Sequence, residues 1–153
     1  MISTSENSER VLTVILVDTT VLVDFFRRKN NAKVAILVDL MKMETPLGIS
    51  GYSYMEILSG AKSEREFNLL RTSLGPYCFY HLAESEEKYR KVGRMYFDLR
   101  KKGITPRSKV DLLIAATAIE YGLYLLHDDR DFDIMAKHLP ELKIYGGTSD
   151  ITV

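Results

Sequence analysis

The 153-residue sequence predicts an α/β domain built on a mostly parallel sheet covered by helices on both faces. Three observations carry this prediction. Short strand-like apolar runs alternate along the chain with segments of helical spacing. The first run, Val14 to Val17, looks like a buried strand and drives straight into Asp18. No internal repeat and no Pro/Gly-rich linker interrupts the pattern, so the alternation belongs to one domain.

Strands are predicted at residues 12–17, 46–50, 77–82, 123–126 and 142–145. After the first, Val21, Leu22, Phe25 and Phe26 fall at i, i+1, i+4 and i+5 and are followed by "RRKNN", an amphipathic helix ending in cations. Segments 32–41, 52–58 and 64–74 also have helical spacing, and Gly75 and Pro76 close the last of these. "SEEKYRKVGRMYFDLRKKG" starts with Ser85 as a cap and acids in its first turn, then ends on cations and Gly103. "KVDLLIAATAIEYG" is alanine-rich and apolar almost all round, which predicts a buried helix closed by Gly122. A short helix, "DFDIMAKHL", follows the fourth strand.

Composition narrows the function classes. The formal net charge is zero, which argues against a domain dedicated to duplex DNA while leaving room for a locally basic groove. The single cysteine, Cys78 in "YCFY", cannot form an internal disulfide and reads as a small core residue in a reducing cytoplasm. No run of about 18 apolar residues is present, so no membrane span is expected. The polar stretch "MISTSENSER", residues 1–10, reads as a flexible lead-in to a single domain over residues 11–153.

Four acids stand at strand ends or helix starts: Asp18, Glu56, Asp111 and Asp129, the last with Asp131 close behind. A helix from residue 109 to 121 is roughly 20 Å long at 1.5 Å per residue. The strand that returns spans about 17 Å at 3.3 Å per residue. The chain therefore goes out and back a similar distance, which brings Asp111 and Asp129 to the rim that Asp18 occupies. Glu56, at most two helical turns past the second strand, reaches it too. Carboxylates gathered in one crevice repel one another unless a cation is present. Oxygen donors without Cys or clustered His suit Mg²⁺ or Mn²⁺. Such an ion can hold a phosphodiester and activate a water for in-line attack.

Each acid also has a plainer reading. Asp18 fits a strand-to-helix turn. Ser53 with Glu56 and Ser108 with Asp111 have the spacing of helix-capping pairs. Asp128, Asp129 and Asp131 fit a solvated loop, and Asp24 fits an exposed helix face. The convergence of four acids on one rim is what capping does not require.

The segments "VILVDTTVLVDFF", "ISGYSYMEILSGA", "VDLLIAATAIEYGLYLLHDDRDFDIMA" and "LKIY" resemble the successive motifs of PIN-domain nucleases, most closely VapC-type toxins of toxin–antitoxin systems. The resemblance covers residues 11–145, and "DLLIAATA" followed by "LLHDDRDF" is its most specific part. It implies a three-layer α/β/α sandwich with a five-stranded parallel sheet. It also implies a Mg²⁺- or Mn²⁺-dependent endoribonuclease acting on cellular RNA. By this likeness Asp18, Glu56, Asp111 and Asp129 fall on the family's catalytic acids. Asp18, Asp111, Asp129 and Asp131 then become the metal ligands, Asp131 matching the acid of the terminal "DF" pattern. Thr20 matches the hydroxyl after the first acid, a support for Asp18 or for a metal-bound water. The family typically dimerises and is inhibited by an antitoxin whose tail fills the acidic groove. A homodimer and a cognate antitoxin are thus implied alongside RNA. Tyr54 and the tyrosines around Glu56 depart from the smaller residues common there, which bears on the groove wall.

The residues themselves add a basic loop. "RKKGITPRSK" carries Arg100, Lys101, Lys102, Arg107 and Lys109 directly before Asp111 and is a candidate for holding RNA phosphates. A solvated loop after a cationic helix end is the equal alternative. Arg27, Arg28 and Lys29 read as a plain helix terminus. His81, His127 and His138 lack ligand spacing, and His127 is expected to be structural. Two other functions remain open at this point. A haloacid dehalogenase-type phosphatase would use Asp18 as nucleophile, although its usual second carboxylate position is Thr20. A non-catalytic module would use the acids to dock arginines of an antitoxin-like partner.

Overall fold

The computed structural model describes residues 13–82 and 84–146. The predicted lead-in at residues 1–10 lies outside them, as does residue 12 of the first predicted strand. The elements run β1 (Ile15–Val17), α1 (Thr19–Phe26), α2 (Ala32–Lys42), β2 (Leu47–Ser50), α3 (Gly51–Ser59), α4 (Glu64–Leu74) and β3 (Cys78–Tyr80). They continue with α5 (Glu86–Lys101), α6 (Lys109–Glu120), β4 (Tyr124–Leu126), α7 (Arg130–His138) and β5 (Lys143–Ile144).

The five strands form one sheet in the order β3-β2-β1-β4-β5, and every pairing is parallel. The central strand β1 is completely buried along its length, which is why it reads as an unbroken apolar run. Alternate residues of β1 feed two separate cores. Ile15 and Val17 pack with Val21 and Leu22 of α1, Leu37 and Leu40 of α2, Ile57 of α3 and Leu74 of α4. Leu16 faces the other way, into Leu99 of α5, Leu112 and Ala115 of α6, and Phe132 and Met135 of α7. Helices α1–α4 thus cover one face and α5–α7 the other, giving the expected three-layer sandwich. Alanines on α6 let it lie flat on the sheet, and Ile114 to Ala118 are all buried.

Local signals set the element ends. Ser85 caps α5 by accepting from the Lys88 N–H at 3.2 Å, and Glu86 and Glu87 occupy the first turn. Gly103 and Gly122 both take left-handed conformations, with φ of 78° and 63°, where the chain leaves α5 and α6.

Three local expectations change. Cys78 is exposed, because β3 is an edge strand and leaves "YCFY" uncovered on its outer side. Asp24 is not a free surface acid. It accepts from Asn31 Nδ2 at 3.1 Å and pairs with Lys29 Nζ at 3.3 Å, tying α1 to the cap of α2. Ser53 does not cap α3. Ser50 does so one turn earlier, accepting from the Ser53 N–H at 3.1 Å, which leaves Glu56 without a capping role.

Candidate metal centre

The sheet order places the site. From β1 the chain moves to β2 on one side, and it later returns from β3 to β4 on the other side. Beyond the carboxyl ends of β1 and β4, where connections leave in opposite directions, open parallel sheets form a crevice. Asp18 ends β1 and Asp129 follows β4 on that rim.

Asp18 is only 2 % exposed. As N-cap of α1, its Oδ2 accepts from the Thr20 hydroxyl at 2.8 Å and from the Thr20 N–H at 3.3 Å. Burial pushes its carboxyl above the ordinary 3.8, and the Thr20 bonds pull against that rise. The Thr20 oxygen in turn accepts from the Asp128 N–H at 3.2 Å, so one hydroxyl links the ends of β1 and β4.

Asp111, Asp129 and Asp131 form the tightest group, each offering a carboxylate oxygen within 4.8 Å of the others. Asp111 lies in the first turn of α6, and Asp129 caps α7 by accepting from the Asp131 N–H at 2.9 Å. Asp131 is steadied from outside by the Arg107 N–H at 3.3 Å. The Asp111 carboxyl is pushed up to about 6, first by burial and then by the charges of Asp18, Asp129, Asp131 and Glu56. Glu56 is exposed and stands at the edge, its Oε1 accepting from the Thr19 hydroxyl at 3.2 Å.

The chain therefore brings Asp111, Asp129 and Asp131 together, sets Asp18 beside them as a buried neighbour, and keeps Glu56 at the mouth. Among the described residues the only ion pair to these acids is Arg107 Nε with Asp131 Oδ2, at 3.9 Å. So much uncompensated negative charge fits a cation. The all-oxygen donor set fits a hard divalent ion and does not fit zinc or copper. Of the predicted basic residues, Arg107 reaches the rim. Arg100 and Lys109 lie over the Tyr96 ring at 5.9 and 5.7 Å, and Lys101 lies over Phe97 at 4.9 Å. Lys102 stands exposed at the end of α5.

Two supporting residues lie outside the predicted set. Thr19 holds Glu56, and its sequence signal is the second hydroxyl in "DTT". His127 has the structural place expected of it, yet that place is directly behind the acids. It is 1 % exposed, and its Nδ1 accepts from the Asp129 N–H at 3.0 Å. That bond fixes the neutral ring as the Nε2–H tautomer. Nε2 lies 3.2 Å from Asp133 Oδ1 without hydrogen-bond geometry, and burial holds the imidazole below its ordinary 6.5.

The chain is similar to known proteins over most of its length. The chain is 30% identical over 125 residues to the VapC ribonuclease Mb1587 of Mycobacterium bovis, covering 81% of this chain and 92% of that protein. Its fold is similar to VapBC-1 from nontypeable Haemophilus influenzae, with a TM-score of 0.67, 18% identity, and 87% and 97% of the two chains covered. It is also similar to VapBC-5 of Mycobacterium tuberculosis, described as a member of the VapBC family of toxin–antitoxin systems. There the TM-score is 0.58 at 18% identity, with 86% and 97% covered. The family model of the PIN domain matches residues 15–138. That span contains every acid of the rim together with the strands that carry them, and the chain belongs to the PIN-domain family.

Proposed function

We propose that this protein is a metal-dependent endoribonuclease, the toxin of a toxin–antitoxin system. The single observation that carries the proposal is the gathering of Asp18, Asp111, Asp129 and Asp131 at the β1/β4 crevice with almost no countercharge from the chain. Likeness to a VapC ribonuclease over 81% of the chain supports the choice of RNA as substrate. Asp111, Asp129 and Asp131, with Asp18, would hold Mg²⁺ or Mn²⁺. When bound, such an ion would supply Lewis acidity toward the phosphate and lower the pKa of a bound water, easing its deprotonation by a nearby base.

The chain's own residues do the rest. Thr20 keeps the Asp18 carboxylate oriented, and His127 fixes the turn that carries Asp129. Glu56 is held through Oε1 only, which leaves Oε2 to take a proton from the attacking water. Arg107 and Lys109, on either side of Ser108, hold phosphate oxygens of the strand, with Arg100, Lys101 and Lys102 further along it. The phosphatase alternative loses support, because the position it needs for a second carboxylate is the Thr20 hydroxyl bonded to Asp18.

A groove of about 400 Å³ between α1, α3 and α4 is lined by Val23, Phe26, Ile57, Leu69 and Leu70, with Glu56, Glu66 and Arg27 as its charged members. We assign it to the tail of the cognate antitoxin, with apolar side chains in the groove and a cation toward Glu56 and Glu66. A second copy of the chain is proposed to cover the exposed Met55, Phe79 and Tyr89. The purified protein should cut RNA with Mg²⁺ or Mn²⁺ and stop when the ion is chelated, and Asp18→Asn should be inactive under both conditions. Equal cleavage by that variant would overturn the assignment.

A further inference from the structure

A pocket beside the acids has no part in the reading above. The segment of residues 103–106 joins α5 to α6 and passes next to α7. Between this segment and α7 lies a cavity of about 190 Å³, lined chiefly by Ile104, Thr105, Pro106, Asp131, Ile134 and Met135. Its outer wall is built rather than loose. Gly103, in the left-handed region, turns the chain out of α5, and the Ile104 N–H donates back to Leu99 O at 2.9 Å. Pro106 is buried, and the next residue, Arg107, donates its N–H to Asp131. Asp131 is therefore both a wall of the pocket and a member of the acidic group. An occupant of the pocket sits immediately beside the place where a phosphodiester would be held.

Charge around the pocket is distributed unevenly. Earlier on α5, Arg90, Lys91 and Arg94 each pair with an acid four residues away, and Lys88 pairs with Glu120. Arg100, Lys101, Lys102 and Lys109 have no acidic partner in any ion pair among the described residues. These cations precede and follow the 103–106 segment along the chain, Arg100 and Lys109 resting over the Tyr96 ring and Lys101 over Phe97. A polyanion is the complement of such a border. The lining combines the apolar Ile104, Pro106, Ile134 and Met135 with the polar Thr105 and Asp131. At about 190 Å³ the cavity falls below the roughly 300–1,000 Å³ of pockets for drug-sized ligands. It suits one ring system rather than a whole nucleotide.

We propose that this pocket takes one unpaired nucleobase adjacent to the scissile phosphate and thereby sets both the single-strand requirement and the sequence preference of cleavage. The proposal rests on the ribonuclease reading. Ile104 and Ile134 supply the surface for the base faces over the buried Pro106 and Met135, Thr105 reads its edge, and the flanking cations hold the phosphates on either side. A base inside a duplex cannot offer its faces, so a paired strand is excluded.

The test uses the full chain with two substitutions of opposite effect: Ile104→Trp fills the pocket and Ile104→Ala enlarges it. A pool of random single-stranded RNA is cut with Mn²⁺ and the new ends are sequenced. The unaltered protein should show a base preference at one position beside the cut. Ile104→Trp should abolish that preference, and Ile104→Ala should shift it toward larger bases. A preference unchanged in both folded variants overturns the pocket while leaving the nuclease intact. Binding is measured separately without cleavage, on Asp18→Asn protein with short single-stranded and duplex RNA. Adding Ile104→Trp should weaken single-strand binding about tenfold and leave duplex binding as it was. Pocket-dependent binding with no cleavage by the unaltered protein would overturn the nuclease reading alone. Equal binding of single strands by both proteins would count against the pocket.

Discussion

Thr20 donates to Asp18 and accepts from the Asp128 N–H, so a single side chain couples the ends of two strands. Removing the hydroxyl leaves the buried carboxylate with backbone N–H bonds alone and takes the acceptor from the Asp128 N–H. Thr20→Val should lower Mn²⁺ affinity about 10- to 100-fold, the usual cost of losing a residue that orients a ligand. Calorimetry measures this, and Thr20→Ser should restore most of the affinity. Asp111 gives a pH prediction. Its folded-state carboxyl, at about 6, lies above the ordinary 3.8, so between these values the folded protein holds more protons than the unfolded chain. The contribution of Asp111 to stability is fully present below 3.8 and is lost as pH rises through about 6. Asp18 is raised as well and acts with the same sign. Without metal, thermal melts should therefore show the unaltered protein losing stability from pH 5 to pH 7, with Asp111→Asn losing less. Adding Mn²⁺ should stabilise the unaltered protein more at pH 7 than at pH 5. The acids were legible from sequence because charged residues at strand ends stand out against apolar runs. The Thr19–Glu56 and His127–Asp129 bonds were not, since a threonine or histidine beside an acid has many equivalent uses until the backbone fixes direction.

At the scale of elements, the caps decide where the acids point. Ser50 is completely buried and holds the first turn of α3, which carries Glu56. Ser50→Ala should cost about 1 kcal/mol of folding stability by losing the cap. Denaturant unfolding would show this as a lower midpoint at unchanged slope. The β2/β3 edge is tighter still. A Cβ at Gly48 would meet Tyr80 Cε2 at 2.7 Å, and that ring is packed edge-on against Tyr121. Gly48→Ala should therefore cost about 1–3 kcal/mol by overpacking. Helices such as α5 were readable to within a residue or two because Ser85, the first-turn acids and Gly103 mark both ends. Cys78 misled because a four-residue apolar run looks the same on an edge strand as in the centre. Only the strand order distinguishes the two, and no local pattern encodes it. The start of α3 was legible to within a residue but its cap was not: Ser50 and Ser53 are both good caps, and the end of β2 chooses between them.

For the whole molecule, the two cores and the crevice are consequences of one topology. Alternation of strand and helix made the layered architecture legible. The pairing of β1 with β4 follows from the chain's return across the sheet, and that long-range step is not written in any segment. A divalent ion that binds only the folded crevice stabilises the entire fold. At about 100 times its Kd, Mn²⁺ should raise unfolding free energy by about 2.7 kcal/mol. The gain should vanish in Asp129→Asn. Denaturant titrations with and without the ion measure this directly.

The β1–β4 register pairs Ile15 with Tyr124, and the Thr20–Asp128 bond spans 108 positions. Such contacts are among the last a growing chain can make. A nascent polypeptide on the ribosome carries Asp18 and Glu56 long before it carries Asp129 and Asp131, and until then β1 has no partner on that side. On the proposed function, the half-made chain is harmless to the RNA that is producing it. The ability to cut arises only once β4 and the acids that follow it have joined β1.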